Sequence, residues 1–398
     1  MLHPDLLDSA REIADRIVSL RRAIHAEPEL GLDTPLTLAK VKAALAHLPL
    51  EWREGGATTG AVATLRGAKP GRRVLLRGDM DALPMTEETG LDFASTIPGR
   101  MHACGHDTHT AMLAGAAELL CARRGDLAGE VQFMFQPGEE GFHGARHMLD
   151  DGLIDPLPEA AFALHIMPNA RHGAVAGRSG AMMASADEFD ISIEGKGGHA
   201  SMPHDTLDPV PGAAALVLAL QAMVTRRFAV ADAVVVTVTT MQCGTAHNVI
   251  PDRVRLAGTI RTLSKHHREK IHGLIEEVTH ATAAAYGLKA EFNLRHGFPV
   301  TVNDGRAISV ARAVTGELFG EGAWTEMAAP IMGAEDFSYL LEKVPGAMVF
   351  LGVAKEGDDW RSCCSIHSTR MMVDETALPR GAALLAGCAV RFLDRGFD

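Results

Sequence analysis

The pattern of hydrophobic and polar positions predicts an α/β arrangement over the first part of the chain. In residues 10–24 the apolar side chains recur with helical spacing between charged ones, so we expect an amphipathic helix to open the protein. Short apolar runs with the length of buried strands follow at residues 61–65, 74–77, 131–135 and 160–164. Helical segments separate these runs, which predicts a central, mostly parallel sheet flanked by helices.

A different order of elements begins near Met183 and predicts an inserted domain. The pattern becomes strand, helix, strand, strand, helix, strand at residues 189–194, 209–227, 234–240, 253–260, 268–286 and 288–294. This βαββαβ order is that of a ferredoxin-like α+β unit. Because 398 residues exceed the usual size of one core, we predict a main domain formed by residues 1–183 and 296–398, with the inserted domain at residues 184–295.

Composition narrows the class of partner. The formal net charge is −12 and the chain has no basic tract interleaved with aromatic residues, which argues against nucleic acid or an anionic membrane and favours a small molecule. Residues 1–8 are polar rather than signal-like, and no apolar run reaches a membrane-spanning length. We therefore expect a cytoplasmic protein with no membrane partner.

The cysteines are few and irregularly spaced for a chain of this length. There are six, Cys104, Cys121, Cys243, Cys363, Cys364 and Cys388. This usage is typical of reduced thiols rather than of a disulfide framework. The sequence assigns no role to Cys243, and it favours ordinary thiols over metal ligands for Cys363 and Cys364.

The segment Met101–His109 combines three imidazoles with one thiol. A thiolate at Cys104 and an imidazole at His106 suit a borderline divalent ion such as Zn²⁺, Mn²⁺, Co²⁺ or Ni²⁺. Apolar residues at helical spacing follow, so we expect a helix here with Asp107 as its N-cap. Two ligands do not complete a metal site, and the others must come from elsewhere in the chain.

Further potential ligands follow the ends of the predicted strands. These are Asp79 and Asp81 after the second run, Glu139 and Glu140 after the third, and His165 at the end of the fourth. Ligands of open α/β sheets bind outside the carboxyl ends of the strands, so we expect these side chains to lie at one edge of the sheet.

Each of these carboxylates also has a simpler interpretation. Glu139 and Glu140 could form a solvated acidic turn, but adjacent residues of an extended chain point to opposite sides, so one could bind metal while the other transfers protons. Asp79 and Asp81 could form a turn after the strand, or they could orient a ligating imidazole, and we include Asp81 among the candidate catalytic residues.

Five more distant residues have similarly open interpretations. His165 and His367 could be ordinary histidines bonded to the backbone or metal ligands. His199 lies in a glycine-rich turn that could be a surface hairpin. Asn248 and Arg261 offer an amide and a guanidinium suited to a substrate carboxylate, although an arginine on a solvated strand face is equally ordinary.

Several other catalytic schemes lack their motifs in this sequence. It contains no H-E-x-x-H, no G-x-S-x-G elbow, no Walker loop and no G-x-G-x-x-G after a strand. The H-x-E and P-C-x-x-C pattern of zinc deaminases is also missing.

In combination the motifs resemble the M20 metallopeptidase family, in particular its aminoacylase, hippurate hydrolase and auxin-conjugate amidohydrolase branch. The resemblance runs from about Leu20 to the C-terminal helix. Its motifs occur in the order of that branch at residues 78–84, 101–107, 136–141, 197–199, 248–252 and 333–337. The chain departs from the family's pattern after His367, where Ser-Thr-Arg replaces a proline and an aromatic-acidic run.

The resemblance implies a site for two divalent metal ions, Zn, Mn, Ni or Co. The ligands that it implies are Cys104, His106, Glu140, His165 and His367. Glu139 would be the general base and later the general acid, while His102 and His109 would not bind metal.

The resemblance also implies that the inserted domain is a lid through which the chain forms a homodimer. His199 would approach the site of the partner subunit and stabilise the oxyanion, and Asn248 and Arg261 would hold the substrate.

The leading functional hypothesis is a metal-dependent amidohydrolase that cleaves the amide bond of N-acyl amino acids of the hippurate or N-acetyl type. One alternative within hydrolases is a dipeptidase or a deacetylase of an amino-acid biosynthetic intermediate, since the same metal centre serves those substrates. An alternative from another class is a catalytically inactive metal-binding dimer that binds a ligand.

Overall fold

The computed structural model describes residues 5–362 and 364–398, so Cys363 lies outside the described residues. The helices are α1 Leu6–Glu12, α2 Ala14–His25, α3 Pro35–Leu45, α4 His106–Ala122, α5 Gly144–Asp150, α6 Pro209–Arg227, α7 Lys265–Ala285, α8 Gly305–Phe319, α9 Ser338–Leu341 and α10 Leu378–Arg395. The strands are β1 Glu51–Glu54, β2 Ala61–Arg66, β3 Lys69–Asp79, β4 Ala128–Gln136, β5 Ala160–Met167, β6 Val175–Gly177, β7 Gly180–Met183, β8 Ser185–Glu194, β9 Gly198–His199, β10 Val234–Gln242, β11 Val249–Ile250, β12 Arg253–Thr262, β13 Lys289–Arg295, β14 Thr301–Asn303, β15 Trp324–Glu326 and β16 Gly346–Gly352.

The chain forms two compact units. The first comprises Met1–Gly180, Val302–Ala329 and Asp336–Asp398, and the second comprises Ala181–Thr301 and Pro330–Glu335. The second unit thus extends a few residues beyond the predicted segment 184–295 on each side and includes a short later segment that the sequence pattern did not indicate.

The sheet of the first unit has a parallel centre. Over the described residues its order is β1-β2-β4-β3-β5-β16-β6-β15, with β4, β3, β5 and β16 mutually parallel and β1 and β2 antiparallel at one side. The central strands are buried at successive positions, which means that both faces of the sheet are covered and explains their continuous apolar runs. This architecture confirms the predicted α/β class and brings the carboxyl ends of β3, β4 and β5 to one edge.

The second unit has the predicted ferredoxin-like order. Strands β8, β10, β12 and β13 form an antiparallel sheet in the order β10-β12-β8-β13. Alternate side chains of β8, namely Phe189, Ile191 and Ile193, are buried in one core with residues of α6 and α7, while the residues between them are more exposed. This alternation is typical of a sheet that helices cover on one face.

Two local predictions for the helices were wrong. The single helix expected over residues 10–24 is two helices, because α1 ends at Glu12 and α2 begins only at Ala14. Asp107 is not the N-cap of α4, since Gly105 occupies that position with φ +89. A Cβ atom at Gly105 would lie 2.5 Å from the Ile166 side chain, so both the backbone conformation and the space favour glycine there.

The expectation that no apolar segment reaches membrane-spanning length also needs correction. Two helical segments of the described chain, Pro209–Arg227 and Glu375–Arg395, have the length and apolarity of a membrane span. About three quarters of the second is buried inside the protein, as is usual for the core helix of a folded domain, whereas only a third of the first is buried.

Asp107, which does not cap α4, belongs to a buried ionic network. Its Oδ2 atom accepts a hydrogen bond from Arg21 Nε at 2.7 Å and lies 2.8 Å from His25 Nδ1. The other ring nitrogen of His25 lies 3.1 Å from Glu87 Oε1, and Arg21 Nη1 also donates to Glu375. Burial alone would lower the pKa of His25, but the Asp107 and Glu87 carboxylates outweigh it and raise this pKa to about 9.

We predict that His25 makes the free energy of unfolding depend on pH above neutrality. Because folding raises its pKa from 6.5 to about 9, the stabilisation is fully present below pH 6.5 and is lost as the pH rises through about 9. At ~1.4 kcal/mol per pKa unit, the wild type should lose up to about 3 kcal/mol between pH 6 and pH 10 through this group.

Urea unfolding of the chelator-treated protein at a series of pH values measures this loss. The variant H25N should lack it, whereas H47N, which changes an exposed histidine, should retain it. An equal loss in H25N and in the wild type would contradict the assignment to His25.

Candidate metal centre

Five side chains of the first unit form two triads that share Cys104. The first triad is Cys104, His106 and His165, and the second is Cys104, Glu140 and His367. Within each triad the potential ligand atoms all lie within 4.8 Å of one another. These five are the residues that the resemblance implied as metal ligands, and the arrangement could hold two cations on either side of one thiolate.

Different elements bring these residues together. His106 is the first residue of α4, Glu140 follows β4, and His165 lies in β5. His367 lies in the segment between β16 and α10, where its backbone N–H donates to the carbonyl of Ala103 at 2.7 Å. This bond, made with a left-handed φ of +63 at His367, brings it next to Cys104 despite their distance in sequence.

The surroundings of His106 fit a bound cation. Among the described residues its buried ring nitrogens have no hydrogen-bond partner, although carboxylate oxygens of Asp79, Asp81 and Glu139 lie 3.5 to 4.0 Å away. Burial opposes a charge on this ring, yet Asp79 and Cys104 outweigh burial and raise the pKa of His106 well above its usual value, so a metal ion that binds here would displace the proton of the ring. A pocket that favours positive charge and contains a thiol and imidazoles suits a borderline divalent ion.

The ring of His165 has one nitrogen available for a ligand. Its Nδ1 lies 2.6 Å from the carbonyl oxygen of Ile166, which can only accept, so Nδ1 carries the proton. The unprotonated Nε2 then lies 3.3 Å from Cys104 Sγ. Burial and the neighbouring His109 and His106 rings hold the pKa of His165 well below its usual value, which keeps the ring neutral as metal ligation requires.

Asp81 fixes the tandem glutamates through their backbone. Its two carboxylate oxygens accept the N–H groups of Glu139 at 2.9 Å and Glu140 at 3.0 Å. The two side chains contact different imidazoles: Glu139 Oε2 lies 4.0 Å from His106 Nε2, and Glu140 Oε1 lies 3.2 Å from His367 Nε2. One oxygen of each also lies within 4.8 Å of the other and of a His106 nitrogen. One carboxylate of the pair thus lies within the ligand triads and the other beside them.

Sequence reasoning missed the network that surrounds Asp79. Arg77, only 1% exposed, donates to Asp79 at 2.5 Å, to Gln136 at 2.9 Å and to Asp336 at 3.0 Å. Burial alone would raise the pKa of Asp79, but Arg77 and the adjacent imidazoles hold it well below its usual range. The signal in the sequence was an arginine at the end of an apolar strand. A guanidinium that is buried in this way needs carboxylate partners.

The other candidate residues belong to the second unit. His199 of β9 pairs with Val249 of β11, and its Nδ1 accepts the Ser201 N–H at 3.2 Å, so its exposed ring carries the proton on Nε2. The carbonyl of Asn248 accepts the Ala200 N–H at 3.0 Å. Arg261 lies half-buried in β12.

A further group of potential ligands in the second unit is already satisfied by protein groups. Asp187, His272 and His296 also lie within 4.8 Å of one another. However, both oxygens of Asp187 accept from the Arg268 guanidinium at 2.6 and 2.8 Å, and Oδ1 also accepts the Gly297 N–H. The arginine supplies the positive charge that a metal would otherwise provide.

Comparison with known proteins agrees with this geometry. The profile of the peptidase family M20/M25/M40 matches residues 75–391. The IAA-amino acid hydrolase ILR1-like 2 of Arabidopsis thaliana is 39% identical over 98% of this chain and 88% of its own length, and the N-acetylcysteine deacetylase of Bacillus subtilis is 37% identical over 95% and 97%. The crystal structure of the Bacillus subtilis YXEP protein, described as a dinuclear metal-binding peptidase of the M20 family, superposes with a TM-score of 0.85 at 34% identity, covering 97% of this chain and 99% of that one.

Proposed function

The chain belongs to the peptidase family M20/M25/M40 of metal-dependent hydrolases, and from this premise we propose that it cleaves the amide bond of N-acyl amino acids. The observation that carries the proposal is the sharing of Cys104 by two ligand triads directly beside the tandem glutamates held by Asp81. The similarity to an auxin-conjugate hydrolase and to an N-acetylcysteine deacetylase supports an acylated amino acid as the substrate class.

We propose that one divalent ion is held by Cys104, His106 and His165 and a second by Cys104, Glu140 and His367. When bound, such ions lower the pKa of water towards ~7 and polarise the scissile carbonyl. Thiolate, imidazole and carboxylate together accept Zn²⁺, Mn²⁺, Ni²⁺ or Co²⁺.

Glu139 is the proposed general base. It is buried beside the two triads and belongs to neither of them, although one of its oxygens lies within 4.8 Å of the potential ligand atoms of His106 and Glu140. Its carboxylate would take the proton of the attacking water and return it to the leaving amino group, so that one side chain serves both steps. Asp81 would keep this carboxylate in place through the two N–H groups that it accepts.

We propose that His199, Asn248 and Arg261 contact the substrate. The Nε2–H of His199 is a donor that could stabilise the negative oxygen that develops at the carbonyl. Arg261 and Asn248 would bind the substrate carboxylate by charge-assisted and amide hydrogen bonds.

We further propose that the enzyme is a homodimer in which the second unit acts as a lid and His199 serves the site of the partner subunit. We place it in the cytoplasm, because the described cysteines are free thiols, as a reducing compartment would keep them.

The two adjacent glutamates should respond differently to the same substitution. E139Q should retain both metal ions and lose at least ~10²-fold in kcat, because the amide cannot accept a proton. E140Q should lose metal, because it removes a ligand from the second triad. Metal content by elemental analysis and hydrolysis assays measure both effects, and E27Q, at an exposed salt-bridged position, serves as a control.

An active E139Q would overturn the role of Glu139, and a wild type that binds metal without hydrolysing any amide would favour a ligand-binding dimer.

Complementation between subunits tests the proposed role of His199. H199A and E139Q should each be nearly inactive alone. After subunit exchange, mixed dimers would contain one intact site, so about one quarter of wild-type activity should return in an equimolar mixture. Failure of the mixture to regain activity, with exchange verified, would contradict action across subunits.

A substrate panel defines the acyl group and the amino acid. We expect kcat/KM for benzoyl, acetyl or indoleacetyl amino acids to exceed that for dipeptides, because the proposed site recognises a free carboxylate and an acyl group without a charged amine. The opposite order would favour the dipeptidase alternative, and activity confined to one biosynthetic N-acetyl intermediate would favour the specialised deacetylase.

A further inference from the structure

The strand that carries His165 loses one of its neighbours just before that residue. Pairing between β3 and β5 ends at Arg77 opposite Ala163. On the other side β5 continues beside β16, where the Met167 carbonyl accepts from Val353. Because successive residues of a strand direct their N–H groups to opposite sides, the N–H of Ile166 points to the side that β3 has left.

His109 takes the place of the missing strand. Its Nε2 accepts the Ile166 N–H at 2.9 Å. A backbone N–H can only donate, so Nε2 is unprotonated and the proton of the neutral ring is on Nδ1. Nδ1 donates to Asp79 Oδ1 at 2.7 Å, and Asp79 is held in turn by Arg77 at 2.5 Å. The imidazole is therefore fixed at both nitrogens, and neither is available to a metal ion.

The hydrogen bond from the Ile166 N–H to His109 also fixes the backbone next to His165, the proposed metal ligand. The N–H belongs to the peptide that joins His165 to Ile166, and the carbonyl of Ile166 accepts the Nδ1–H of His165 at 2.6 Å. With His109 on its N–H and His165 on its carbonyl, the backbone of Ile166 sets the ring orientation that turns His165 Nε2 towards Cys104.

We propose that His109 is a positioning residue that orients His165 for metal binding by capturing the N–H of Ile166 in place of a strand. The inference rests on the proposed metal site, and it assigns a role to a residue that is not itself a ligand. Groups that orient ligands in this way typically change metal affinity about 10–100-fold when they are removed.

Two substitutions separate the two hydrogen bonds of His109. In H109Q the amide oxygen can reach the position of Nε2 and accept the Ile166 N–H, while the contact to Asp79 is lost. In H109N the amide nitrogen can reach the position of Nδ1 and donate to Asp79, while the Ile166 N–H loses its acceptor. Each variant therefore loses one buried hydrogen bond, and the two serve as matched controls for general destabilisation.

The readout is the affinity of each Co²⁺ binding step, which we would follow by absorption in the full-length, chelator-treated protein. We expect H109N to weaken one of two binding steps about 10–100-fold while the other is unchanged, and H109Q to bind close to the wild type. The urea midpoints of the two metal-free variants should be similar. A purely structural role of His109 would lower these urea midpoints without weakening one Co²⁺ binding step more than the other.

The outcomes separate this inference from the proposed function. Wild-type affinities for both ions in H109N, or equal weakening of both steps in both variants, would overturn the role of His109 alone. A wild type that fails to bind two Co²⁺ ions would overturn the proposed metal site and this inference together.

Discussion

The burial of negative charge at one edge of the parallel strands is the constraint on which the rest of the site depends. A carboxylate without water requires a compensating cation or several donors. Asp79 has Arg77 and His109, and Asp107 has Arg21 and His25. Among the described contacts, Cys104 and Glu140 pair with imidazoles rather than with an arginine, and this difference separates a region whose buried charge is balanced from one suited to metal ions.

The site is held mainly through backbone groups. Asp81 binds the two amides of the tandem glutamates, His109 binds the amide of Ile166, and Ala103 binds the amide of His367. Each bond fixes a peptide plane next to a functional side chain rather than the side chain itself. Such an arrangement restricts the directions in which the proposed ligand atoms can point without engaging those atoms in the backbone bond itself.

Sequence alone predicted those parts of the site that follow from periodicity. Apolar runs that end in carboxylates placed Asp79, Asp81 and the tandem glutamates correctly at the ends of strands, since the parallel sheet aligns those ends. The proposed set of five ligands required the family resemblance, because nothing local indicates that the backbone N–H of His367 donates to the Ala103 carbonyl. Asp107 was misassigned because a tertiary pairing with Arg21 overrode a local capping preference.

The left-handed Gly105 fixes the backbone between the cysteine and the histidine on either side of it. A side chain at this position would meet the Ile166 side chain, and a smaller residue at 166 would still leave a backbone conformation that other residues rarely adopt. Neither a single substitution nor a compensating pair easily relieves both conflicts. The backbone between the proposed ligands Cys104 and His106 is thus restricted by two independent conflicts, one steric and one conformational.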